Sequence, residues 1–241
     1  MANATPAIEG QLNIGEREFL IKVIREAPVK PEIVVEVGTW LGGGSTLHFL
    51  RALQANGTGH LWGVEAFRHI YDQMIANIRK GAPDAADRFT PLFGFSTDVL
   101  PRWLAELPAG KEIDCVFLDG GDNPIEQIEE FKILADRVRV GGVLMAHDAH
   151  TRKGKWLVPY LRELDNWETT VSDFSIYGLL HARKLRPEPS AASRQAAEKK
   201  LRKLRWQPVE VAGRCLPSWL CGALLNAMPQ KLRRKLTVGK P

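Results

Sequence analysis

Ile33-Val-Val-Glu-Val-Gly-Thr-Trp-Leu-Gly-Gly-Gly-Ser-Thr46 is the stretch on which the fold turns. Its first half is a β-branched run, the pattern of a buried strand. Gly42-Gly-Gly-Ser-Thr then turns into a helical pattern, with Ser45 or Thr46 near the helix start. A strand that ends in a glycine turn and runs into a helix opens an α/β unit.

The same alternation extends outward. Upstream, residues 13–27 read as a helix capped by Asn13, with Phe19, Leu20, Val23 and Ile24 on one face; Pro28 and Pro31 end it. Downstream, His60-Leu-Trp-Gly-Val-Glu65 is a second strand, and residues 69–80 are helical with Ile70, Met74, Ile75 and Ile78 inward. Residues 89–94 make a third strand, less regular for Pro91. A helix over 98–107, a strand over 113–119, a helix over 126–137, a strand over 142–148 and a helix over 156–164 follow. Residues 167–174 and 176–183 are two strands separated by almost nothing, paired as a hairpin. The expected architecture is a doubly wound α/β domain: a mostly parallel seven-stranded sheet ending in an antiparallel hairpin.

Composition agrees with a globular protein. The 241 residues are 44% hydrophobic and 25% charged, which excludes collagen-like, mucin-like and wholly disordered chains. No apolar run approaches the roughly 18 residues that span a bilayer. Met1-Ala-Asn-Ala-Thr-Pro has neither the basic region nor the apolar core of a signal peptide. Cys115, Cys215 and Cys221 make no disulfide framework, so a reducing cytoplasm is the simplest compartment. Charge divides the chain. Residues 1–182 carry 18 Lys/Arg against 25 Asp/Glu, a net −7; residues 183–241 carry 15 against 3, a net +12. Three regions are expected: an N-terminal helical segment over 1–29, the α/β domain over 30–183, and a basic, partly helical extension over 184–241.

In doubly wound sheets the ligand sits beyond the carboxyl ends of the strands. Those ends carry Glu36 and Gly38, Glu65, Ser96, Asp119, and His147 with Asp148. The first turn is G-x-x-x-G-G-G, not the dinucleotide G-x-G-x-x-G, and no P-loop is present. A helix start there offers free N–H groups to an anion; a tight turn without a ligand is the plainer reading. Glu65 is placed to accept both ribose hydroxyls of a nucleoside. Asp119, Asp122, His147, Asp148 and His150 come from two strand ends and suit Mg²⁺ or Mn²⁺ better than zinc. A histidine beside a carboxylate also suits a general base, and plain turn capping and packing stand beside both readings.

Val35-Glu-Val-Gly-Thr-Trp-Leu-Gly-Gly-Gly-Ser-Thr46, Trp62-Gly-Val-Glu65, Gly94-Phe-Ser-Thr-Asp-Val-Leu-Pro-Arg-Trp103, Asp114-Cys-Val-Phe-Leu-Asp-Gly120 and Val140-Gly-Gly-Val-Leu-Met-Ala-His-Asp148 occur in that order over residues 30–183. The ordered set resembles the class I S-adenosylmethionine-dependent methyltransferases, in particular the small catechol-, caffeoyl-CoA- and macrocin-type O-methyltransferases. The resemblance implies a Rossmann-like methyltransferase fold and methyl transfer to an oxygen of a small molecule or glycan. It implies that Glu36, Gly38, Thr39, Gly42, Gly43 and Ser45 hold the methionine end of S-adenosylmethionine. Glu65 with Ala66 would bind ribose, and Ser96 with Thr97 would edge the adenine. Asp119 would lie by the sulfonium, and Asp119 with Asp148 would ligate a divalent cation. Two positions depart from the family pattern. His147-Asp148 stands where catechol-type enzymes have Asp followed by Asp or Asn, and Asp122 stands where they carry a lysine base. His147 or His150 is then the candidate base.

An NAD-dependent oxidoreductase, a catalytically inactive nucleoside-binding module and a nucleic-acid methyltransferase are the rival readings. The basic tail contains an amphipathic stretch over 194–206, with Ala197, Leu201 and Leu204 on one face, and an apolar stretch over 216–228. It suits packing on the domain or on a second subunit, as in a homodimer, or peripheral contact with an anionic membrane. Nucleic acid is disfavoured for want of a recognised motif.

Overall fold

Strands form where consecutive residues are apolar. In the computed structural model, which describes residues 8–206, β1 (Ile33–Val37) and β4 (Ile113–Leu118) are buried at every position. They join β2 (His60–Glu65), β3 (Phe89–Phe93), β5 (Val138–His147), β6 (Trp167–Ser172) and β7 (Leu179–Lys184) in one seven-stranded sheet, ordered β3-β2-β1-β4-β5-β7-β6. Pairings from β3 to β5 are parallel, and β7 runs antiparallel to both β5 and β6. This is the expected doubly wound sheet with its terminal hairpin. Strand order reverses between β1 and β4, which puts the switch point there.

Period-two alternation divides the core between the two faces of the sheet. On one face α1 (Ile14–Arg25), α2 (Thr46–Asn56) and α3 (Arg68–Gly81) pack Leu20, Ile24, Phe49, Met74 and Ile78 on Val34, Cys115, Phe117 and Met145. On the other, α4 (Ser96–Glu106), α5 (Pro124–Leu134), α6 (Leu157–Leu161) and α7 (Ala191–Arg205) cover Val35, Val37, Val116 and Leu144. Helix α1 starts at a capping box: the Asn13 side chain accepts from the Glu16 amide at 2.9 Å, and the Asn13 amide donates to the Glu16 carboxylate at 2.9 Å.

Three local expectations change. The last two strands are joined by residues 173–178, and β7 begins at Leu179 rather than Ile176, so the hairpin loop is a substantial one. Pro91 sits in a regular parallel ladder, because β3 is the edge strand. The amphipathic stretch near residue 200 turns its apolar face inward: Ala197 and Leu201 are buried in the second core and Leu204 packs against it. Residues 216–228, Cys215, Cys221, Trp219 and the closing basic run lie outside the described residues. Among the described residues no helix is long and apolar enough to cross a membrane.

Asp114 ties the amino ends of the central strands together. One carboxylate oxygen accepts from the Glu32 and Ile33 amides at 2.8 and 2.9 Å, and the other accepts from Arg139 Nε at 2.5 Å. D114A strands two amides, and unfolding in urea is expected to show a loss of about 2–4 kcal/mol. An unchanged unfolding midpoint would contradict this role.

Candidate active site

Five strands, β1 to β5, deliver residues to one cavity of about 950 Å³, at the upper end of the roughly 300–1,000 Å³ usual for ligand pockets. Of the residues singled out from the sequence, Gly38, Thr39, Ser45, Glu65, Ala66, Ser96, Thr97, Asp119, Asp122, His147 and Asp148 line it. Glu36, Gly42, Gly43 and His150 do not. Glu36 lies fully buried behind the wall, where the Ser45 hydroxyl donates to it. His150 is exposed, with Nε2 2.6 Å from Asp173 on the hairpin loop.

The glycines have separate jobs. Gly38, at φ +86°, lets β1 cross the chain leaving β4; a Cβ there would lie 2.5 Å from the Asp119 carbonyl oxygen. Gly43 makes room for the N-terminal segment, since a Cβ would lie 2.3 Å from the Ile8 and Glu9 carbonyl oxygens. The middle of the glycine run therefore packs against a strap of chain.

Glu65 is buried at the end of β2. Its Oε2 accepts from the Trp40 amide and its Oε1 from the Phe67 amide, both at 3.0 Å. Each oxygen keeps a lone pair for a further donor. Nearby, Ser96 donates to Glu130 Oε1 at 2.6 Å. Burial pushes the Glu130 carboxyl up to about 7, against the lowering effect of the Ser96 bond. Glu130 Oε2 and Thr39 Oγ1, both on the cavity wall, are buried without a protein partner. Orphaned buried polar atoms of this kind fit a polar ligand.

The ends of β4 and β5 carry a charge cluster. Asp119, His147 and Asp148 have ligand atoms within 4.8 Å of one another. His147 Nδ1 lies 3.4 Å from Asp119 and 3.5 Å from Asp148, and its Nε2 lies 3.2 Å from Glu16. Ser175 donates to the same Glu16 oxygen at 2.7 Å, and Gln127 donates to the His147 carbonyl at 3.1 Å. Burial opposes the charged imidazole, but hydrogen bonds and attraction from Asp119 and Asp148 outweigh it and raise His147 to about 10. An imidazolium has no free lone pair, so in this state His147 holds the carboxylates instead of taking a proton. Burial likewise pushes Asp148 up, but His147 and Lys153 pull it further down and keep it ionised. Lys153 Nζ stands 2.8 Å from Asp119 Oδ1 and 3.3 Å from Asp148 Oδ2. The carboxylate oxygens that would bind a divalent ion thus already face an ammonium, and the donor set as folded does not fit such an ion.

Sequence reasoning missed Lys153, Glu16, Glu130, Trp40 and Phe67. Trp40 and Phe67 act through backbone amides, which side-chain identity does not mark. Glu16 was visible as the third helical position of a capping box, although its contact with His147 spans 131 residues.

Burial raises the Glu36 carboxyl from 4.5 to about 8, with the Ser45 hydroxyl only partly offsetting it. A carboxyl whose folded value is raised binds its proton more tightly when folded. Stability is therefore lost as pH climbs from about 5 through 8. The melting temperature of E36Q relative to wild type is expected to rise between pH 5 and pH 9 in the absence of ligand. A difference that stays constant with pH would contradict this.

Comparison with known proteins places this geometry. Residues 35–149 match the family model described as a methyltransferase domain. No curated protein matches the chain. Among solved structures, the chain is similar to an O-methyltransferase from Bacillus cereus in complex with S-adenosylhomocysteine (20% identity, 75% of this chain and 84% of that one, TM-score 0.56). It is similar to a methyltransferase from Geobacter sulfurreducens (17%, 73% and 81%, TM-score 0.57). It is also similar to a Podospora anserina methyltransferase bound to S-adenosylhomocysteine (16%, 73% and 80%, TM-score 0.56). At these identities the structures speak for the fold, and the family model speaks for the domain. Over residues 35–149 the chain thus matches a methyltransferase domain, and its fold is that of the S-adenosylhomocysteine-bound methyltransferases it resembles.

Proposed function

We propose that this methyltransferase acts on an oxygen of a small molecule or glycan. The observation that carries the reading is the Glu65 carboxylate on the cavity wall, with one oxygen held by the Trp40 amide and the other by the Phe67 amide. That arrangement suits the two ribose hydroxyls. Ser96, Thr97 and Phe95 frame the base, while Gly38, Thr39 and the start of α2 take the amino-acid end.

When bound, S-adenosylmethionine supplies a sulfonium methyl group for in-line displacement. The chain's task is to present an oxygen to it and receive that oxygen's proton. Asp119 and Asp148 line the cavity beside each other, and the ionised Asp148 is the acceptor for a hydroxyl proton. His147 and Lys153, which line the same cavity, hold both carboxylates in place. Tyr177 lines the cavity there, and its neighbours Phe174 and Ile176 stay exposed with Ile14 of α1. This apolar rim suits an acceptor with an apolar body beside its hydroxyl.

Calorimetry with S-adenosylhomocysteine is expected to show micromolar binding by wild type. E65A should bind at least about ten-fold more weakly, for loss of hydrogen bonds to a charged group. Transfer of labelled methyl to hydroxylated acceptors, and not to their deoxy counterparts, tests the oxygen. Folded protein that binds no S-adenosylhomocysteine, or an E65A variant that binds it as wild type does, would overturn the cofactor placement. Label in the deoxy compounds would overturn the oxygen acceptor.

A further inference from the structure

The chemistry of the two strand-end aspartates raises a question the fold alone does not answer: what cation balances them. The geometry points to Lys153 as a built-in cation that stands where a divalent metal would sit between Asp119 and Asp148, so that this site takes no metal. The inference rests on the proposed function for the importance of the two aspartates, but its test does not pass through methyl transfer.

The position is built, not incidental. Lys153 is 4% exposed, and its ammonium touches Asp119 Oδ1 at 2.8 Å and Asp148 Oδ2 at 3.3 Å. These are the same oxygens that face His147 Nδ1. The chain reaches this arrangement through a tight turn. Asp148 takes φ +63°, a left-handed conformation for a residue with a side chain. Its carbonyl accepts from the Thr151 amide and hydroxyl, each at 3.0 Å, and from the Gly154 amide at 3.2 Å. Thr151 Oγ1 in turn accepts from the Lys153 amide at 3.2 Å. A Cβ on Gly154 would lie 2.6 Å from the Ala149 Cα, so the turn closes only with glycine there. The loop is thus folded back on its own first residue, with Lys153 carried inward.

Chemistry decides between the occupants. Mg²⁺ and Mn²⁺ need several oxygen ligands at about 2.0–2.2 Å in near-octahedral array. Here two carboxylates converge, an ammonium already bonds to both, and a third cationic group in the same space would be repelled by it. An ammonium needs no such array. It donates up to three hydrogen bonds, and two go to the aspartates. Lys153 is therefore a positioning residue: it sets Asp119 and Asp148 at the distance a metal would otherwise impose.

The test is Mn²⁺ binding to the full chain, followed by electron paramagnetic resonance without cofactor or acceptor. Wild type is expected to show no Mn²⁺ site that depends on Asp148. K153A should gain one, binding at least ten-fold more tightly than wild type, and K153A combined with D148N should lose it again. K153M removes the charge while keeping most of the side-chain bulk, and serves if K153A fails to fold. K153R keeps the charge and should exclude Mn²⁺ as wild type does. Wild-type binding abolished by D148N would overturn the inference, as would a folded K153A or K153M that gains no site. Because S-adenosylhomocysteine binding is measured separately, failure here is distinct from failure of the methyltransferase reading.

Discussion

The close approach of the chain leaving β1 to the chain leaving β4 governs the rest of the site. The Asp119 amide donates to the Val37 carbonyl at 2.8 Å, and the Gly38 amide donates to Val64 at 3.0 Å. Gly38 has no side chain because the Asp119–Gly120 backbone passes where one would stand. This contact fixes the floor of the cavity. It brings the Glu65 wall and the Asp119 wall to opposite sides of one switch point, which neither strand would achieve alone. A larger residue at position 38 would force the two strand ends apart, and the Glu65 and Asp119 walls with them.

Charge is balanced locally at the ends of β4 and β5. Asp119 and Asp148 face Lys153 and His147, and Glu16 faces the other edge of the imidazole. Buried charges persist only when paired and hydrogen-bonded. The partners come from four parts of the chain: Glu16 from α1, Asp119 from the end of β4, His147 and Asp148 from the end of β5, and Lys153 from the loop beyond. The N-terminal helix is thereby a structural part of the site. Its capping box sets the Glu16 carboxylate, and that carboxylate sets the His147 ring.

Much of this was legible in the sequence where a local pattern carries it. The β-branched runs, the glycine turn after Val37 and the acid closing Trp62-Gly-Val-Glu65 each report a backbone shape or a strand end, and they led to the sheet and to Glu65 on the cavity wall. What stayed hidden depends on contacts between distant residues. Gly43 reads like a ligand glycine, yet it accommodates residues 8 and 9. Lys153 sits in Arg152-Lys-Gly-Lys155, where nothing in the local pattern marks one lysine from the other. Only the left-handed turn at Asp148 and the closure at Gly154 decide which cation points inward. His150, the other candidate base, lies exposed with Nε2 beside Asp173 of the hairpin loop.

The most direct measurement is a crystal structure of the full chain grown with S-adenosylhomocysteine. The account predicts both ribose hydroxyls on the Glu65 carboxylate, the adenine beside Ser96 and Thr97, and the sulfur on the Asp119 side of the cavity. A ligand bound elsewhere, or seated here with its ribose away from Glu65, would contradict it.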